Sequence, residues 1–161
     1  MKRFFCVLLC LTLALSLWGC VRERPDESNF FYCRTKMRYD GESGVPVCEK
    51  RDTMGHEGNL QHLIPLYLMG PLGEGLESPF PEGTHLEKVK QAAGTVYVEL
   101  SGIDEGFSDS RFTLACACLT LTCLDLTDAV AVSVTDGTRT LTMDRASLIL
   151  RDPVPMDTKG E

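Results

Sequence analysis

The sequence predicts an α+β domain: a mixed or antiparallel sheet built from hairpins, with two helices packed on one face. Three observations predict it. Runs that alternate apolar and polar residues come in pairs around the turn signals DGESG (40–44), AAG (92–94) and DG (136–137). Leu60, Leu63, Ile64, Tyr67 and Leu68 repeat at helical rather than strand spacing. A second apolar run, Phe112 to Leu126, is too long for an average strand.

The first pair is NFFYCRTKMRY (29–39) and VPVCEKR (45–51). A two-residue type I′ turn at Asp40-Gly41 sets Cys33 opposite Cys48, whereas a longer turn over Asp40–Gly44 sets Cys33 opposite Arg51. Both registers remain open. Asn59 is placed to cap the next helix, and Pro65 inside it predicts a kink or a late start. A Gly/Pro-rich segment follows, GPLGEGLESPFPEGTHL (70–86). THLEKVKQ (84–91) and TVYVELS (95–101) form the second hairpin, with Val96, Val98 and Leu100 on one face. For residues 108–128 periodicity leaves helix and strand open, although Ser108 with Arg111 beyond it has the look of a helix start. AVAVSV (129–134) and TRTLTM (138–143) make the last hairpin, and DRASLIL (144–150) a short final element.

The N-terminus reads as a lipoprotein signal peptide over residues 1–19. Lys2-Arg3 is a basic start, Phe4–Trp18 is uncharged and apolar, and Leu17-Trp18-Gly19-Cys20 has the spacing of a lipobox. Cys20 is the lipidation candidate, because the diacylglycerol is attached through a thioether. Residues 20–28 then form the lipidated cysteine and a short polar tether, 29–151 the domain, and 152–161 a flexible polar tail. The expected location is the extracytoplasmic face of the cell membrane, with the chain held there by its lipid.

No catalytic constellation stands out, and no cofactor or metal is expected. G-x-S-x-G, H-E-x-x-H and G-x-x-x-x-G-K-[ST] are all absent. Ser101 reads as a turn serine. His56, His62 and His85 lack the spacing of a zinc site, even with Glu57 and Glu82 nearby in sequence. Cys116, Cys118 and Cys123 lie among Leu and Ala and read as small apolar packing residues. Cys33 and Cys48 are expected as free thiols that pack, with no redox role. The formal charge of −7 makes nucleic acid an unsuitable partner.

The segment LYLMGPLGEGLESPFPEGTHLEKV resembles the GerMN domain, the sporulation and spore-germination module of Firmicutes. Leu68, Gly70-Pro71, Leu76, Ser78, Pro81 and Gly83-Thr84 match in order, and GTVYVELS is similar to the family's next strand. The likeness extends over about residues 29–151, and one such domain is read here. It implies a helix for Ser108–Leu124. It also implies that the Gly/Pro run is a fixed connection rather than a linker, with Gly70, Pro71, Pro81, Gly83 and Thr84 in structural roles. Gly70 is suited to end the helix in a left-handed conformation, and Pro71 forbids its continuation. Phe80 is placed to pin the crossing to the core. The expected function is a non-enzymatic binding or scaffold domain in sporulation or germination. Its expected partner is another envelope protein or a second copy of itself, met through the sheet edge or the Gly/Pro loop. A peptidoglycan- or small-ligand-binding module is the alternative.

Overall fold

The computed structural model describes residues 27–35 and 46–148. The signal segment with Cys20, most of the tether, the Asp40–Gly44 turn and the C-terminal tail lie outside the described residues. The elements in chain order are β1 (Glu27–Arg34), β2 (Val47–Asp52), α1 (Leu60–Leu68), β3 (Leu76–Glu77), β4 (His85–Ala92), β5 (Thr95–Ser101), α2 (Asp109–Leu126), β6 (Ala131–Thr135) and β7 (Thr140–Asp144). The class is α+β, and its strands form two sheets, ordered β2-β1-β3 and β4-β5-β6-β7. Three antiparallel hairpins account for the expected pairs, while β5 and β6 run parallel with α2 as the connection between them.

The first hairpin adopts neither expected register. Phe31 lies opposite Cys48, and Tyr32 opposite Val47. Pro46 precedes β2 and has no N–H to extend the ladder past Val47. Cys33 and Cys48 are therefore diagonal neighbours, about 7–8 Å apart, too far for a disulfide without backbone movement. The strand also starts earlier than expected, so Glu27 and Ser28 belong to β1 and not to the tether.

Helix α1 starts at Leu60, directly after Asn59, with Pro65 accommodated inside it, so the start is not delayed. Asn59 occupies the capping position without a side-chain cap; its carbonyl accepts from the His62 and Leu63 amides. Helix α2 is capped as expected, the Ser108 hydroxyl accepting from the Arg111 amide at 3.4 Å. It packs on β1 and also on β6 and β7 of the other sheet. Its buried residues, among them Phe112, Cys116, Leu119, Thr122 and Cys123, consequently surround the helix. The core joins both sheets through this helix, with Phe30, Tyr32, Leu63, Tyr67, Val98, Leu119 and Val132 all at 0–1 % exposure.

The turn between β4 and β5 is made by Ala93 and Gly94, both at positive φ, as a type I′ turn requires. Ala93 carries a steric penalty there that asparagine largely escapes. Ala93→Asn is expected to stabilise the domain by about 0.5–1 kcal/mol, read from urea unfolding.

Candidate functional site

The Gly/Pro segment is bonded at both ends and in the middle. Gly70 takes φ +93° after Met69, and its amide donates to the Tyr67 carbonyl at 3.1 Å. Pro71 follows. Leu76 and Glu77 then join β1 as β3, opposite Arg34 and Cys33, and the Thr35 amide donates to the Gly75 carbonyl at 2.9 Å. Phe80 is buried. At the far end the Pro81 carbonyl accepts from both the amide (3.2 Å) and the hydroxyl (2.8 Å) of Thr84, with Gly83 at φ +89° closing the turn. Val is β-branched and resists positive φ, so Gly70→Val is expected to lower stability by about 1–3 kcal/mol, checked by thermal or urea unfolding.

Arg51, Glu49, Tyr32 and Gly102 complete this site, and none of them was marked by sequence pattern. The Arg51 side chain is 5 % exposed. Its guanidinium donates to the carbonyls of Leu66, in the last turn of α1, and Gly70, just past its end. It also pairs with Glu49 at 3.3 Å and lies over the rings of Phe30 and Tyr32, 5.6 and 5.2 Å from their centroids. Glu49 in turn accepts the Leu72 amide at 3.0 Å, which fixes the residue after Pro71. Tyr32 and Tyr67 stack at 4.9 Å and exchange hydrogen bonds between the two elements. The Tyr32 hydroxyl donates to the Tyr67 carbonyl, and the Tyr67 hydroxyl to the Phe31 carbonyl. Burial pushes both phenols above their ordinary range, so they stay protonated donors. Glu49 and Arg51 sit two apart on a strand, a pattern that reads as a solvated face; here that face is covered.

The fixed loop holds two large apolar side chains outward. Met69 is 83 % exposed and Leu72 is 82 % exposed. They flank the Gly70-Pro71 corner.

Among the described residues, a second surface is the uncovered face of the four-stranded sheet. Pairing aligns Lys90, Tyr97, Ser133 and Thr142 in one row, and Lys88, Glu99, Thr135 and Thr140 in the next. A depression of about 380 Å³ lies among them. The Lys90 ammonium sits 4.9 Å from the Tyr97 ring centre, and Thr142 donates to the Ser133 hydroxyl at 3.0 Å. Edge strand β4 carries the lysines and a bulge between Leu86 and Lys88, both of which discourage pairing with another edge.

Ser101, His85 and Glu87 do come together. His85 Nε2 lies 2.7 Å from the Ser101 hydroxyl, which also donates to Glu87. Glu87 approaches Nε2 as well, at 3.1 Å, while Nδ1 faces the Gly83 carbonyl at 2.9 Å. A serine triad needs serine and carboxylate on opposite imidazole nitrogens. Here both converge on one, on an open surface, so the group fastens the end of the loop to β5. The His56 and His62 rings are in contact, 3.8 Å between centres and tilted 30° to each other. Among the described residues no three His, Cys, Asp or Glu side chains are placed to hold a metal ion. A depression of about 470 Å³ beside the start of α2 is lined by acids, but Arg139 spans two of them, Asp136 at 2.7 Å and Asp109 at 3.1 Å. Burial pushes Cys116 and Cys123 up to about 12, which keeps them as neutral thiols in the core.

These features define a small α+β module in which a hydrogen-bonded Gly/Pro segment turns Met69 and Leu72 outward. The chain belongs to the Germane family, described as sporulation and spore germination, whose profile matches residues 31–140. No curated protein matches it. Among solved structures it is similar to a protein from Clostridium perfringens described as a lipoprotein, at 19 % identity over 69 % of this chain and 74 % of that one, with a TM-score of 0.44. It is also similar to the tandem GerMN domains of the sporulation protein GerM from Bacillus subtilis, at 21 % identity over 74 % of this chain, with a TM-score of 0.45. This chain spans 42 % of that tandem protein.

Proposed function

We propose that the protein is a lipid-anchored, non-enzymatic binding module on the extracytoplasmic face of the cell membrane, acting in sporulation or germination by docking another envelope protein or a second copy of itself. The observation that carries this reading is the pair Met69 and Leu72, exposed on a loop that Arg51 and Glu49 hold in place. A preordered apolar anchor binds with a smaller entropic penalty than a flexible one. The family and the apolar, basic-flanked N-terminus ending in Cys20 support the envelope setting.

Two experiments test it. A photo-crosslinking residue at Leu72 is expected to capture one partner in intact cells. The same residue at Gly106, outside the loop segment, is expected not to; equal capture at both sites argues against loop docking. For the anchor, cells fed a clickable fatty acid are expected to label the wild-type protein and not Cys20→Ala. Equal labelling of the two removes the lipid attachment from the account.

One observation favours a second reading, a peptidoglycan- or small-ligand-binding module. Tyr97 is an exposed tyrosine, 40 % open, set between lysines and a row of hydroxyls. An aromatic face with cations and hydroxyls suits a glycan bearing carboxylates. Muropeptide binding that falls at least tenfold in Tyr97→Ala supports it, and the absence of muropeptide binding in the wild type removes it.

A further inference from the structure

Strand β1 runs antiparallel to α2 and is bonded to it at matched steps. Asn29 meets Asp125, its amide and side chain donating at 3.3 and 3.2 Å. Two residues on, the Phe31 amide donates to the Thr122 hydroxyl at 3.0 Å. Two further on, Cys33 meets Cys118, sulfur to sulfur at 3.8 Å. Both thiols are buried, at 3 % and 0 % exposure. The first two steps orient the third, so the sulfurs are held in register by the strand and helix that carry them.

We propose that Cys33 and Cys118 are a disulfide-forming pair that staples β1 to α2 when the chain folds in an oxidising setting. A bond requires the sulfurs to close from 3.8 Å to about 2.05 Å, a movement within the reach of side-chain rotation. The remaining cysteines are differently placed. Cys48 is exposed and bonded to the Asn29 side-chain oxygen, and Cys116 and Cys123 are buried free thiols. The structure holds Cys33 and Cys48 as free thiols, as expected, and the proposal goes beyond that state, independently of the docking reading above.

The oxidant is a disulfide-bearing compound, either a small disulfide or a thiol–disulfide oxidoreductase. The Cys33 thiolate attacks one sulfur of that disulfide, forming a mixed disulfide and releasing one thiolate. Cys118, losing its proton, then attacks the Cys33 sulfur and releases the second. Two protein thiols are oxidised, one external disulfide is reduced to two thiols, and the two protons pass to the leaving groups. Oxidation coincides with folding, because both sulfurs are enclosed once β1 has docked.

The loop closed by residues 85 positions apart is long, so the bond is expected to constrain the unfolded chain strongly. The test refolds the full chain, purified in detergent, from urea with oxidised or reduced glutathione, then alkylates and maps peptides. The expected result is a Cys33–Cys118 linked peptide and a thermal midpoint raised by roughly 10 °C, reversed by dithiothreitol. The link is expected to persist in Cys48→Ser and to vanish in Cys118→Ser. The wild-type map decides the matter if that variant does not fold. Alkylation of both Cys33 and Cys118 after oxidation, a glutathione adduct alone, or a Cys33–Cys48 link overturns the proposal.

Discussion

Arg51→Met is expected to destabilise the domain by about 3–5 kcal/mol, the range for removing one partner of a buried ion pair. The methionine retains apolar contact with Phe30 and Tyr32 but donates nothing. The Leu66 and Gly70 carbonyls then lose their guanidinium donor, and Glu49 is left beside them without its cation. Arg51→Lys is expected to fall between wild type and Arg51→Met, because a single ammonium cannot serve two carbonyls and a carboxylate in the planar arrangement of the guanidinium. Urea unfolding followed by circular dichroism measures both. A loss below about 1 kcal/mol for Arg51→Met contradicts a central role for this side chain.

The second large effect is expected at Gly102. Its φ is +75°, and a β-carbon there would run into the Gly83 carbonyl, which is backbone and cannot swing aside. Gly102→Ala is expected to cost about 2–5 kcal/mol from strain and overpacking together. Gly106→Ala is the control. An alanine methyl there would meet nothing within 4 Å, and the φ of Gly106 is not in the left-handed region, so unfolding is expected to change by no more than about 0.5 kcal/mol. Equal losses at the two glycines mean that the Gly83–Gly102 contact is not what limits the site.

Hairpins β4–β5 and β6–β7 were legible because one of their faces meets water, which leaves a clean alternation in TVYVELS and TRTLTM. Helix α2 was not legible by period. It is covered by β1 on one side and by β6 and β7 on another, so Cys118, Thr120 and Thr122 are buried alongside Leu119 and Cys123 and no polar stripe survives. The register of the first hairpin was hidden because it follows from Pro46 and from tertiary packing of Phe30 and Tyr32, not from the turn signal alone. The loop glycines and prolines announced a corner, and Gly70 and Gly83 take the positive φ that such a corner needs. The residues that secure the corner were not announced. Arg51 and Glu49 are distant in sequence and belong to types ordinarily found in solvent. Cys33 and Cys118 were equally hidden, because a meeting across 85 positions leaves no mark in local spacing.

Amide hydrogen exchange across residues 70–84 tests the fixed-loop account most directly. The amides of Gly70, Leu72 and Thr84 each have an acceptor, in Tyr67, Glu49 and Pro81 respectively. They are expected to exchange at least about a hundredfold more slowly than an unstructured chain, and Leu72 is expected to lose its protection selectively in Glu49→Ala. Exchange of all three at the unstructured rate in the wild-type protein contradicts the account, because the segment is then a linker and presents no ordered surface.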